Sequence, residues 1–261
     1  MNVLLTNDDG IHAAGLQALR RALIDADHLS VAVVAPETNR SAVARSISLH
    51  QPMWVEQVEF DDGTTGFATD GTPVDCVRLT AHGLIDGFEP SLIVSGINHG
   101  SNLGDDITYS GTVAAALEGL MLGVPAVAFS HDVGVDGRIS AAAFERAASF
   151  AARLVDRVSE WSLPPDILLN VNFPFEPALG VEVTTLGKRI YGDELELIEE
   201  ALPRRRFRLY GTPTGHEDVE GSDLNAVAER RIAVTPLHFD LTSVDALSPL
   251  QELNLAELLA S

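Results

Sequence analysis

Two adjacent carboxylates, Asp8 and Asp9, close the first apolar run of the sequence (residues 3–7), and Gly10 follows at once. Like charges that close raise one another's cost of ionisation unless a cation lies between them. Oxygen donors of this kind suit a hard ion such as Mg2+ or Mn2+ and do not suit the thiolate sites of structural zinc. The same three residues also fit a plain polar turn ahead of a helix, with Asp as its cap. Two more apolar runs end in oxygen-bearing side chains. Residues 31–35 lead into Pro36-Glu37-Thr38-Asn39-Arg40-Ser41, and residues 92–94 into Ser95-Gly96-Ile97-Asn98. A different chemistry is offered by Ser110-Gly111-Thr112, where a glycine-rich loop enters an alanine-rich helix. Backbone N–H groups and hydroxyls at such a junction can cradle an anion, although an ordinary helix start reads the same way. The loop lacks the lysine of a P-loop and the G-x-G-x-x-G spacing, which argues against ATP-driven and dinucleotide chemistry.

These residues gain meaning from the elements that carry them. Residues 15–26 have helical spacing, with Leu16, Leu19 and Leu23 on one face. Residues 54–60 and 65–68 read as a strand pair turning at Asp61-Asp62-Gly63. Residues 73–84 read as a helix with Pro73 in its first turn, where proline is preferred. A helix over 112–122, a strand over 126–129, a long amphipathic helix over 141–158 and a strand over 167–171 complete the series. Short apolar strands alternating with helices predict a Rossmann-like α/β fold, a doubly wound and mostly parallel sheet in three α/β/α layers. Such sheets bind ligands at the carboxyl ends of their strands. A cation cluster and an anion cradle on that one edge together make a phosphate site. Beyond Pro174 strand-like pieces appear near 181–185, 206–210 and 232–235, with an acidic stretch over 193–200. The expected division is a catalytic core over 1–175 and a β-rich C-terminal arm over 176–261, serving oligomerisation and packing back on the core.

The charge balance narrows the partners. Seventeen basic against 38 acidic residues give a net charge of −21, and Lys188 is the one lysine. Such a surface repels nucleic acid and anionic membrane, so neither partner is expected. It also repels phosphate esters unless a cation reverses the local sign. Excess acid with scarce lysine fits a protein working in high salt, or simply an arginine-rich coding bias. With 46 % hydrophobic residues in 261, the chain can bury a large core. A single cysteine, Cys76, permits no internal disulfide and reads as a small buried hydrophobe. No leader-like start and no apolar run of membrane-spanning length is evident, so a cytoplasmic location is expected.

At this point the chain resembles a known family. The blocks Leu5-Thr6-Asn7-Asp8-Asp9-Gly10, Asn39-Arg40-Ser41-Ala42, Gly71-Thr72-Pro73-Val74-Asp75-Cys76-Val77 and Ser95-Gly96-Ile97-Asn98-His99-Gly100 are similar to those of the SurE family. So are the long block from Asn102 through Ser110-Gly111-Thr112 to Ala116 and the late block Thr235-Pro236-Leu237-His238-Phe239-Asp240-Leu241-Thr242. The likeness runs from residue 1 to about 243 and is weakest over 187–222. Ala14 and Ala42 stand where members often have Pro and Gly. The resemblance implies a nucleotidase acting on nucleoside 5'- and 3'-monophosphates. It implies one divalent ion held by Asp8, Asp9, Ser41 and Asn98, with Asn102, Ser110, Gly111 and Thr112 around the phosphate. Homodimers or homotetramers that exchange the C-terminal arm are implied as well. The expected mechanism is attack on phosphorus by a metal-activated water, with Asp8 or Asp9 orienting it. An aspartyl-phosphate on Asp8 is the rival mechanism. His12 and His99 are read as helpers of the leaving group or as plain solvated side chains. Two other classes stay open: a non-catalytic nucleotide-binding protein, and a glycosyltransferase-like enzyme holding a sugar nucleotide by a metal.

Overall fold

The computed structural model describes residues 1–134, 136–161, 163–164, 166–192, 195–209 and 213–260. Asp193, Glu194 and Tyr210, at the edges of the predicted acidic stretch and of the predicted strand 206–210, lie outside the described residues.

The first half alternates as the apolar runs require: β1 (Asn2–Thr6), α1 (Ala14–Ile24), β2 (Ser30–Pro36), the hairpin β3 (Val55–Glu59) and β4 (Thr65–Thr69), α2 (Pro73–Ala81), then β5 (Leu92–His99). There follow α3 (Gly111–Met121), β6 (Ala126–His131), α4 (Ala141–Trp161) and β7 (Leu168–Phe173). A 3-10 turn over Gly104–Tyr109 occupies the predicted loop before α3. β5 runs five residues further than its apolar run over 92–94, carrying Asn98 and His99 within the strand. The remaining elements are β8 (Gly180–Val183), β9 (Arg189–Tyr191), β10 (Glu196–Ala201), β11 (Arg204–Arg208), β12 (Pro213–His216), α5 (Asp223–Ala228), β13 (Arg231–Leu237) and α6 (Leu247–Glu252).

Nine strands form one sheet in the order β3-β4-β2-β1-β5-β6-β7-β13-β8. The six strands from β4 to β7 run parallel, and antiparallel β3 and β13 flank them. The chain moves outward from β1 to β2 and returns on the other side to β5. Strand order therefore reverses between β1 and β5, where a doubly wound sheet opens its crevice. Both faces are covered. Alternate residues of β1 point to opposite sides, Val3 and Leu5 into a core with α1 and α4, Leu4 into a second core with α2 and α3. Leu16, Leu19 and Leu23 of α1 are fully buried, each contributing about 2 kcal/mol from burial alone. Cys76 is also fully buried in the second core, and burial holds its thiol protonated. Among the described residues no helix is long and apolar enough to cross a membrane.

The C-terminal third does more than pack against this sheet. β13 and β8 extend it, and Asp223 at the start of α5 ties it to the loop that leads into α3. Its fully buried carboxylate accepts from the amides of Gly104, Gly187 and Leu224, each at 2.8 Å. Burial pushes this carboxyl above its ordinary range, and the three amides pull it down. Asp106 of the same loop pairs with Arg189 of β9 at 2.6 Å, so its charge is matched within the fold. Replacing Asp223 by Ala leaves buried donors unsatisfied and is expected to cost about 3 kcal/mol in urea unfolding. Asp223→Asn, which keeps an acceptor oxygen, should lose clearly less. Equal losses for the two would show that packing, not the amide bonds, holds the junction.

Candidate active site

The carboxyl ends of β1, β2 and β5 meet the start of α3 in the crevice between β1 and β5. Asn7 shapes the turn after β1: its amide nitrogen donates to the Gly10 carbonyl at 3.0 Å and its oxygen accepts from the Gly10 amide at 3.2 Å. Gly10 has φ +106, a conformation that glycine adopts readily and L side chains rarely do. Asp8 is turned inward and is 3 % exposed. Its Oδ1 accepts from the Thr112 hydroxyl at 2.5 Å, at the first turn of α3. Helix N-termini favour negative charge, so α3 is aimed at a group it stabilises. The approach is so close that a Cβ on Gly111 would lie 2.7 Å from the Asp8 Cβ. Ser110 caps the helix by accepting from the Val113 amide at 3.1 Å.

Asp9 points the other way and is half-buried. Its Oδ2 accepts from the His99 amide at 2.8 Å and its Oδ1 from the Asn39 side chain at 3.1 Å. Asn39 in turn accepts from the Ser41 amide at 2.8 Å, so the β2 loop is chained to the acidic pair. The Asn98 amide nitrogen donates to the Gly100 carbonyl at 2.8 Å. Burial raises Asp8 to about 6, the Thr112 bond opposing it and the neighbouring Asp9 charge adding to it. Burial also raises Asp9, against the His99 amide that holds it down.

The sequence-predicted residues thus fall into two groups. Asp8, Asp9, Ser41, Asn98, Ser110, Gly111 and Thr112 converge on the crevice or on its immediate hydrogen bonds. The Thr112 side chain is fully buried and occupied by Asp8, and Ser110, buried as well, is the residue of that turn that lines the neighbouring groove. Asn102 lies deeper, bonded to β6 and β7: its amide nitrogen donates to Ser130 at 2.7 Å and its backbone N–H to Asn172 at 2.8 Å. The carbonyl of Asn102 accepts from both Asn170 and Asn172. Sequence reasoning missed those two supports, although two asparagines in the otherwise apolar Leu168–Phe173 signal buried amides that need partners. The ring of His99 sits 6.5 Å from Phe144, and His12 is exposed. A groove of about 560 Å3 begins at Ser110 and runs along α3 past Leu117 to Leu186, His238 and Phe239. A cavity of about 530 Å3 near His131 and Phe173 includes none of the acidic pair's partners.

With this geometry in place, comparison with known proteins is decisive. The family model described as Survival protein SurE matches residues 3–193. The chain belongs to the SurE family. A protein of Rubrobacter xylanophilus named 5'-nucleotidase SurE is 48 % identical over 99 % of each chain. Another of that name, from Geobacter sulfurreducens, is 44 % identical over 98 % of this chain and 95 % of its own. The crystal structure of the SurE protein from Aquifex aeolicus superposes with a TM-score of 0.82 at 36 % identity, covering 97 % of this chain and 99 % of that one. The α/β fold read from the sequence is accordingly the fold of the SurE family. The departure noted at Ala42 acquires a physical meaning, because this residue has φ +58. Glycine takes that left-handed conformation freely, whereas an alanine there costs about 1 kcal/mol.

The raised carboxyl of Asp8 has a pH signature. In EDTA the folded chain takes up this proton more readily than the unfolded chain does. The resulting stability is full below the unfolded carboxyl pKa near 4 and is lost as pH rises through about 6. Asp8→Asn removes that loss. Urea unfolding at pH 5 and pH 8 in EDTA should therefore show the variant gaining on the wild type by on the order of 2 kcal/mol at the higher pH. A gap that does not change with pH would mean that Asp8 is not held under this strain.

Proposed function

We propose that this chain is a 5'-nucleotidase that hydrolyses nucleoside 5'- and 3'-monophosphates, using one divalent cation held by Asp8, Asp9, Ser41 and Asn98. One observation carries the reading: a buried carboxylate and a half-buried one stand side by side under the N-terminus of α3, at the point where strand order reverses. The donor set is all oxygen, which fits Mg2+ or Mn2+. The bond from the Asn98 amide nitrogen to Gly100 leaves the carboxamide oxygen as the end available to a cation. Bound there, the ion supplies Lewis acidity toward a phosphoryl oxygen and lowers the pKa of water. The residues of the chain do the remainder. Asp9, the more exposed carboxylate, orients the attacking water. The Ser110 hydroxyl and the start of α3 meet the phosphate oxygens, and Asn102 braces that loop or reaches the phosphate itself. The groove that begins at Ser110 is large enough for a nucleoside. With a net charge of −21, the cation also offsets repulsion between protein and phosphate.

Hydrolysis of AMP and p-nitrophenyl phosphate is expected with Mg2+ or Mn2+ and not in EDTA, and Asp9→Asn should lose at least about 100-fold in kcat/KM. Tight nucleotide binding without turnover under every condition would move the assignment to a non-catalytic binding protein. Single-turnover hydrolysis in 18O-water should place label directly in phosphate, whereas label appearing first in a carboxylate of the protein would establish an aspartyl-phosphate.

The division into a core over 1–175 and an arm over 176–261 belongs to the same proposal, as does assembly into homodimers or homotetramers. The β10–β11 hairpin supports it: its strands pair with each other in a sheet of their own, and Leu197, Leu202 and Phe207 are exposed on it. Light scattering should give two or four times the chain mass, and a monomer would overturn the assembly.

A further inference from the structure

Glu118 is the one carboxylate of α3, in a helix that beyond Thr112 otherwise carries alanines, glycine, aliphatic side chains and Met121. Its side chain is 1 % exposed and is held between two arginines from different elements. Arg45, on the long loop between β2 and β3, meets Oε2 at 2.7 Å, and Arg78 of α2 meets Oε1 at 2.7 Å. A buried carboxylate held by two partly exposed arginines is a poor device for stability alone, since an apolar residue in its place commonly serves as well or better. Its reach is more informative. The Arg45 loop is also the loop that carries Ser41, which is exposed and lies outside any helix or strand.

That loop is under backbone strain. Ala42 and Ala44, between Ser41 and Arg45, have φ +58 and +51, both in the left-handed region. Two such alanines persist only where the surroundings hold them. On one side, the Arg40 amide donates to the Asp8 carbonyl at 2.6 Å. On the other, Ser48 donates through its amide and hydroxyl to Asp75, and Thr72 donates to the Ser46 carbonyl at 2.9 Å. Arg45 supplies the hold nearest to the strained pair, and its guanidinium also lies over the Phe239 ring at 4.6 Å.

We infer that Glu118 is a positioning residue that, through Arg45, fixes the Ser41 loop at a set distance from Asp8. The two holds share one helix. Thr112 binds Asp8 in the first turn of α3, and Glu118 binds Arg45 six residues, or about 9 Å, further along. A rigid helix thereby spaces two parts of the cation site that come from different strand ends. Arg78 holds the second oxygen of the carboxylate from α2 and not from the Ser41 loop. This inference rests on the reading of Ser41 as a cation ligand.

The test compares Arg45→Met, Arg78→Met, Arg45→Lys and Ser41→Ala in the full chain. Mn2+ binding to the metal-free proteins is followed by electron paramagnetic resonance, and amide hydrogen exchange over residues 41–46 is followed without metal. Arg45→Met should raise the Mn2+ Kd about tenfold, a size usual for residues that orient a ligand, and should speed exchange over 41–46. Arg45→Lys should recover part of both. Arg78→Met, which takes an arginine from the same buried carboxylate, should leave the Mn2+ Kd and the exchange over 41–46 at wild-type values even where it lowers the unfolding midpoint. Equal effects of the two methionine variants would reduce the trio to general stability and overturn the inference. So would wild-type Mn2+ affinity in Arg45→Met alongside weakened binding in Ser41→Ala, an outcome that leaves the cation site standing. Unweakened Mn2+ binding in Ser41→Ala would remove Ser41 from the site and take this inference with it.

Discussion

The contact between α3 and Asp8 is the constraint on which the site depends. A carboxylate buried at the end of a central parallel strand needs a compensating partner, and the helix start supplies one through the Thr112 hydroxyl and the favourable end of the helix dipole. Several residue choices then follow. Position 111 is glycine because any larger residue would press its Cβ into Asp8. Ser110 takes the capping role that lets the chain leave its 3-10 turn and start α3 at that spot. Even so, burial leaves Asp8 with a carboxyl pushed up to about 6, a site that is costly to ionise without a counter-charge.

Around that contact the scaffold is built from amides more than from ion pairs. Asn7 closes the turn beside Asp8, Asn39 bridges Asp9 to the Ser41 amide, and Asn170 and Asn172 grip the Asn102 carbonyl. Amides both donate and accept, so they brace loops near an acidic pair without adding to its charge. From the C-terminal third a carboxylate, Asp223, braces the same loop by accepting the Gly104 amide, which is why the loop into α3 depends on a residue more than 100 positions later.

The few cations of the chain are largely committed to internal partners. Arg20 is buried against Asp62 and lies over Phe60, Arg189 holds Asp106, and Arg45 and Arg78 share Glu118. The acidic excess is correspondingly left to the surface. Anions approaching such a surface are repelled at long range, so local attraction at the crevice must come from the helix start and a bound cation.

Much of this was legible in the sequence, and the reason is periodicity. Strands β1, β2, β5, β6 and β7 are largely buried and each contains a short apolar run, and α1 and α4 show a clear apolar stripe, so the doubly wound core follows from pattern alone. The residues at the strand ends also stood out, because polar and glycine clusters interrupt those runs. The C-terminal third was harder. Each residue of β10 and β11 is exposed, and the hairpin is held by pairs such as Glu200–Arg205 and Glu196–Arg208 that resemble a charged loop when read in one dimension. The short α5 and β9 carry too few residues for a period to emerge. Residue types by themselves therefore determined the core, its open edge and the oxygen donors that edge displays. Only the tertiary structure decided that Thr112 is spent on Asp8, that Asn102 is braced by β7, and that Glu118 reaches the Ser41 loop, because each contact joins residues far apart in the chain through the packing of α3 on the sheet.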